Sequence, residues 1–276
     1  MGKAAAADGG AEMESGKQER RKRIGASSGF IRLKMLVAYD GRCFRGWQSQ
    51  ATKDAVQDHL EAALARLNGG ALVRVHGAGR TDAGVHGLGQ VAHCDWSRTA
   101  LPSQKLLPAL NAHLPDGVRI LRLTRAPATF HSRFDARGKI YTYRIWNAQM
   151  LHPLEIGRAW HVAGSLDLAV LQEAARALEG THDFAGFAAN RGHQERDTVR
   201  TIREVRITRR GPLLTLQFSG TGFLYRMVRL LTGSMIRCAQ GKADTQWLRD
   251  LLAVKGAQKS SFAAPADGLY LTKVIY

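Results

Sequence analysis

The feature that most limits the folds open to this chain is a switch of hydrophobic period that occurs twice in the same order. IRLKMLVAYDG (31–41) alternates apolar and polar residues as a half-buried strand does, and it stops at Asp40-Gly41. Helical spacing follows, with Val56, Leu60, Ala63, Leu64 and Leu67 on one face. Asp54, with Gln57 three residues on, is the expected N-cap, and Gly69-Gly70 the stop. Strands are predicted next in LVRVHGA (72–78) and LGQVAHCD (88–95), then a helix over 103–114 and a strand in VRILRLTRA (118–126). The resulting order, β-α-β-β-α-β, is a split βαβ unit.

The second half gives the same order. KIYTYRIWN (139–147) reads as a strand, LAVLQEAARALEG (168–180) as a helix, and TIREVRITRR (201–210) with LLTLQFSG (213–220) as a hairpin about Gly211-Pro212. FLYRMVRLLTGSMIRCA (223–239) reads as a helix and LYLTKVIY (269–276) as a closing strand. The expectation is an α+β fold of two pseudo-repeated, RRM-like units whose antiparallel sheets flank a central cleft. Residues 1–29 lack apolar periodicity and read as a disordered tail. An N-terminal domain is expected over 30–128 and a C-terminal domain over 129–276.

Charge narrows the function. The formal net charge is +17, and the first 29 residues, with six Lys/Arg and four Asp/Glu, carry only +2 of it. The remaining +15 sits on the folding part of the chain. Such an excess attracts polyanions, of which nucleic acid is the commonest, although a merely solvated arginine-rich surface is the alternative. No apolar run reaches the 18 or so residues of a membrane helix, and no apolar signal segment opens the chain, so no membrane association and a cytoplasmic location are expected. The tail leaves an organelle open, though Asp8, Glu12, Glu14 and Glu19 suit a transit peptide poorly. Cys43, Cys94 and Cys238 are far apart, without CxxC spacing, and a reducing compartment fits them.

Chemistry concentrates in GAGRTDAGVHGLGQVAHCD (77–95). His76, His86, His93 and Cys94 match no zinc spacing, and adjacent His93 and Cys94 point to opposite faces of a strand, so no metal is expected. There is no GxSxG nucleophile motif, and the Gly77-Ala78-Gly79 run lacks the third glycine of a dinucleotide loop. Asp82 remains, held on a glycine-bounded turn two residues after Arg80. It reads either as an oriented, ionised nucleophile or base, or as an Asx-turn that bonds only its own backbone.

AGRTDAGVHGLGQVAH (78–93) resembles the central motif of the TruA type of tRNA pseudouridine synthases. The same family pattern appears in order in YDGRCFRGWQSQ (39–50), FHSRFDARGKIYTYRI (130–145), GTHDFAGFA (180–188), GFLYRMVRLLTG (222–233) and PADGLYL (265–271). The resemblance covers essentially all of residues 31–276. Gly87, where Ala is common, and the extra tail depart from it.

The resemblance implies the pseudouridine synthase fold and a cofactor-free isomerisation of uridine to pseudouridine at positions 38, 39 and 40 of the tRNA anticodon arm, by a homodimer whose subunits share one tRNA. It makes Asp82 the catalytic aspartate, acting by attack on the sugar C1′ or by removal of a C2′ proton. Arg80 would help extrude the target nucleotide. Tyr141 would pack on its base, with Tyr143 on the same strand face as the rival. Arg229 would ion-pair with Asp82, with Arg226 as the rival, and Leu269 would form an apolar wall. Arg45, Trp47 and Gln48 either touch RNA or pack a Gly-Trp turn on the core. A passive two-RRM binder would share the basic face, but RRM-type aromatic patterns such as GFAFV are absent.

Overall fold

The computed structural model describes residues 29–97, 103–189, 197–253 and 259–276; residues 1–28 of the expected tail lie outside the described residues. The alternation that opens the chain becomes β1 (Phe30–Tyr39), which buries Leu33, Met35, Val37 and Tyr39. It pairs antiparallel on one side with β3 (His86–Ser97) and on the other with β4 (Val118–Ala126).

Helix α1 (Val56–Leu67) has the expected apolar face but a different start. Ala55 is the N-cap, and its N–H donates to Asp58 Oδ2 at 3.1 Å. The carboxylate of Asp54 is engaged instead by the Thr52 hydroxyl at 2.6 Å and by Arg45 at 3.0 Å. The expected strand at 72–78 contracts to β2 (His76–Gly77) for a related reason. The Val75 N–H donates to Glu61 Oε1 at 3.0 Å and its carbonyl accepts from Gln57 Nε2 at 3.2 Å. Buried side chains of α1 thus satisfy the backbone groups a ladder would have used. Helix α2 (Ser103–Ala112) precedes β4, and Leu106 and Leu110 seat it in the core.

The second half runs β5 (Gly138–Trp146), β6 (Trp160–His161), α3 (Leu168–Leu178), β7 (Gly180–Asp183), β8 (Val199–Arg210), β9 (Leu213–Gly220), α4 (Met227–Ala239), α5 (Thr245–Ala253) and β10 (Leu269–Ile275). Asp167 caps α3 by accepting from the N–H groups of Ala169 and Val170. Helix α4 begins four residues later than its sequence pattern suggests. Arg226, its N-cap, has φ 57° and stands in the left-handed region, so it is not on the helix with Arg229.

The two expected sheets are one. The strand order is β4-β1-β3-β10-β5-β9-β8-β7, with β2 on β3 and β6 on β5. The halves meet where β10 runs parallel to β3, pairing Tyr270 with His86 and Leu271 with Gly87. The His86 ring stacks on Tyr270 at 4.5 Å. On each side of this junction the order is fourth, first, third, second strand, with β7 added at the far edge. Two apolar cores result. One joins β1, β3 and β4 to α1 and α2. The other lies around α3, α4, α5 and β5, and it also takes in Ala78, Val85 and Val91 from the first half. No helix among the described residues is long and apolar enough to cross a membrane.

Candidate active site

Asp82 lies on the loop between β2 and β3, and the backbone of that loop is held from several sides. The Ala78 N–H donates to Val91 O at 2.7 Å and Gln90 Nε2 donates to Gly79 O at 2.9 Å, tying the loop's start to β3. The Trp47 N–H donates to Thr81 O at 3.1 Å, and the Thr81 hydroxyl bonds the buried Tyr39 hydroxyl at 2.8 Å. The Val85 N–H closes the turn onto Asp82 O at 3.1 Å, with Gly84 at φ 82°. Gly46, at φ 84°, lies so close that a Cβ there would stand 2.7 Å from Thr81 O. The Asp82 carboxylate makes no bond to its own backbone; its partners are Arg229 and Arg226. The Asx-turn alternative is not formed.

Arg229 and Arg226 reach the same oxygen differently. Arg229 on α4 places Nη1 3.3 Å from Asp82 Oδ2 while its Nε donates to Ala264 O at 2.7 Å, so the guanidinium is clamped at two points. Arg226 Nε is 3.9 Å away on a side chain that is 44 % exposed, against 14 % for Arg229. The less exposed, doubly held arginine is the better placed to orient the carboxylate; Arg226 is the more exposed partner and lies over the Tyr225 ring, 5.1 Å to its centroid.

Asp82 opens into a cavity of about 710 Å³ at the junction of the two halves. Tyr141 on β5 and Leu269 at the start of β10 form part of its wall, and both are buried. Phe223 packs edge-on against Tyr141, 5.1 Å between centroids. Burial, then the neighbouring Tyr39 phenol and the Asp82 carboxylate, push the Tyr141 phenol above its ordinary pKa and keep it protonated. Its hydroxyl has no hydrogen-bond partner among the described residues. Tyr143 also faces inward, but its hydroxyl donates to Pro265 O at 2.7 Å and the ring is fully buried, outside the cavity wall. Arg80 lines the cavity with an exposed side chain that has no ion-pair partner among the described residues. Trp47 is buried beneath the loop, against Gly77, though its edge contributes to the wall, and Gln48 is bonded to Gln57 at 2.7 Å.

Three participants were not visible in the sequence as site residues. The sequence pattern places Phe223 on a helix, and the Ala264 carbonyl that holds Arg229 carries no side-chain signal. Lys139 reads from the sequence only as a strand residue, yet it is two positions before Tyr141 on β5 and so shares its face, which is the signal that marks it. Burial, then the nearby Arg133 and Arg200, push its ammonium pKa down to about 8. Among the described cavity-lining residues Arg80, Arg133, Lys139, Arg200 and Arg226 are cationic and Asp82 is the single carboxylate.

His76 stacks on His93, 5.0 Å between centroids, and His131 meets His93 edge-on at 4.7 Å. Burial first, then His131 and His76, lower the pKa of His93 to about 3. Among the described residues no group of three or more His, Cys, Asp or Glu is placed to hold a metal ion.

The family model described as tRNA pseudouridine synthase matches residues 35–135 and 174–276. The chain is 44 % identical over 252 residues to a tRNA pseudouridine synthase A of Akkermansia muciniphila, covering 89 % of this chain and 95 % of that one. It is 42 % identical to those of Geobacillus kaustophilus and Afipia carboxidovorans, covering 89 % of this chain and 94 % and 99 % of theirs. A split-βαβ pair joined around an Asp-bearing glycine loop, matched along nearly its whole described length by these relatives, places this chain in the tRNA pseudouridine synthase A family.

Proposed function

We propose that this enzyme isomerises uridine to pseudouridine in the anticodon arm of tRNA, at positions 38, 39 and 40, without a cofactor and with Asp82 as the catalytic carboxylate. The observation that carries the reading is the carboxylate itself. Backbone bonds fix its loop and the clamped Arg229 fixes the carboxylate, at the wall of a cavity whose other charged residues, among those described, are positive. Preorganised charge of this kind needs little rearrangement when a substrate arrives.

Isomerisation breaks the N1–C1′ bond, turns the detached uracil and joins C5 to C1′; the C5 proton leaves and N1 gains one. Attack of Asp82 on C1′ and abstraction of the C2′ proton both require an anion against the sugar in a site with little water. A target uridine must leave its stack first, and Arg80, exposed on the cavity wall and without an ion-pair partner among the described residues, is suited to fill the space it vacates. Tyr141 supports the base with its ring while its protonated hydroxyl remains available as a donor. Leu269 closes the apolar side, and Arg229 holds the Asp82 carboxylate aimed.

We read residues 30–128 and 129–276 as two domains that meet at this cavity, the first supplying Asp82 and Arg80, the second Tyr141, Arg229 and Leu269. From the family resemblance we take a homodimer sharing one tRNA, and a cytoplasmic setting agrees with three free cysteines. The test is pseudouridine mapping in tRNA from cells lacking the gene. Wild-type enzyme should restore the modification at 38–40 and Asp82→Asn should restore none. Restoration by Asp82→Asn, or a wild-type signal elsewhere only, would reject the reading.

A further inference from the structure

We propose that Lys139, flanked by Arg133 and Arg200, binds a backbone phosphodiester of the RNA strand beside the target nucleotide. The inference rests on the reading of the Asp82 cavity as the uridine site and adds a contact that the chemistry at Asp82 does not require. Lys139 lies on the same face of β5 as Tyr141, and two residues of strand separate them by ~7 Å. An anion held there is therefore next to the base that Tyr141 faces.

The ammonium is packed against the Asp82 loop. A Cβ on Gly79, three residues before Asp82, would stand only 2.8 Å from Lys139 Nζ, so the absence of a side chain there is what lets the ammonium approach. Among the described residues Lys139 has no hydrogen-bond or ion-pair partner. The one carboxylate of the cavity wall, Asp82, is already engaged by Arg229 and Arg226. Arg133 has its guanidinium near the exposed Phe134 ring, 5.8 Å to the centroid, and forms no ion pair among the described residues. Arg200 donates to Val199 O at 2.6 Å, and its one carboxylate partner among the described residues is Asp197, at 3.4 Å, a side chain that is 77 % exposed. An ammonium largely out of water with two guanidinium groups as neighbours is unfavourable in the free protein. An incoming anion relieves all three charges at once, and the depressed pKa of the ammonium is the signature of that unrelieved state. The supply of anion in a nucleic acid is its phosphodiester, which both guanidinium forks and ammonium groups bind well.

The test uses anticodon stem-loop RNAs that each carry one neutral methylphosphonate at a single phosphate around the target uridine, with single-turnover rates measured for wild type, Lys139→Met, Lys139→Arg and Arg133→Met. Lys139→Met should raise the half-saturating enzyme concentration about 10- to 100-fold, the effect of a lost charged hydrogen bond, and leave the maximal rate little changed. Lys139→Arg should recover most of the affinity. In wild type one methylphosphonate position should give a comparable loss, and at that position alone the Met variant should lose nothing more. Arg133→Met, an exposed change that does not threaten folding, should blunt sensitivity to the same phosphate. Losses that multiply at every position in both Met variants would overturn the proposal, as would a Lys139→Met defect confined to the maximal rate. Asp82→Asn run alongside separates the two readings: if it turns over, the uridine-site reading fails. If it is inactive while no phosphate couples to Lys139 or Arg133, only the phosphate site fails.

Discussion

The β2–β3 connection and the β8–β9 connection occupy the same place in the strand order of their respective halves, yet they could hardly differ more in content. The first spans eight residues, 78–85, and presents Asp82 and Arg80 to the cavity. The second is Gly211-Pro212 alone, a tight hairpin with Gly211 at φ 58° and open space around it. One strand order thus supports a minimal turn and a chemically loaded loop. The difference lies in what surrounds them. The Asp82 loop is held by Trp47, Tyr39, Gln90 and Val91, whereas the Gly211 turn needs only its own ladder. Placing function on a loop that rigid elements support is the usual division of labour in a fold.

The sharpest way to break the comparison is to remove what the second half brings to the loop. Tyr141→Ala should lower the single-turnover rate about 100-fold or more, since a base–aromatic contact alone is worth about 1–3 kcal/mol and the hydroxyl goes with it. Tyr141→Phe should fold and bind tRNA normally and be impaired in the chemical step. Tyr143→Phe should cost about 1 kcal/mol of stability, through the lost bond to Pro265 O, and leave turnover unchanged. Activity lost in Tyr143→Phe and kept in Tyr141→Phe would reverse the assignment. Circular dichroism melts run beside the kinetics identify any variant that merely unfolds.

A smaller effect separates the two arginines. Arg229→Ala removes a contact to Asp82 and one to Ala264 O, and should slow turnover about 10- to 100-fold. Arg226→Ala, removing an exposed partner at 3.9 Å, should slow it only a few-fold. Equal losses in rate assays would mean that the clamp on Arg229 is irrelevant.

Smallest, and aimed at the two connections directly, is a pair of glycine changes. Gly46→Ala places a methyl against Thr81 O and a β-carbon in the left-handed region, so it should shift the Asp82 loop and cost activity about 10-fold. Gly211→Ala meets no neighbour and should cost only about 1 kcal/mol of left-handed strain, read in a melt, with turnover intact. Matching activity in the two variants would show that the loop's support does not matter.

Much of this was legible from residues alone. Strands such as 118–126 and 213–220 are legible to the residue, because turn residues flank them and their apolar positions largely alternate. The errors share a physical cause: tertiary partners took over roles that local pattern assigned elsewhere. Asp54 looked like a cap, but Asp58 bonds the Ala55 N–H and Asp54 turns to Arg45. Residues 72–75 looked like strand, but Gln57 and Glu61 bind their backbone. Arg226 looked like a helix-face neighbour of Arg229, and a left-handed φ removes it from the helix. At the site, Asp82 stands out because glycines frame it, whereas Lys139 is marked only by its place two residues before Tyr141 on one strand face, and the cavity makes it conspicuous.

The central claim is that the chemistry depends above all on the Asp82 anion, while the rest of the site holds the RNA and assists it. Its most direct test is the single-turnover rate of Asp82→Asn at saturating enzyme on tRNA, with affinity measured in parallel. Asparagine preserves the shape of the side chain and removes its charge, so affinity should stay within a few-fold of wild type. The rate should fall by more than about 1000-fold, a barrier increase above ~4 kcal/mol. A variant that keeps a tenth of the wild-type rate, only about 1.4 kcal/mol of barrier, would contradict the account.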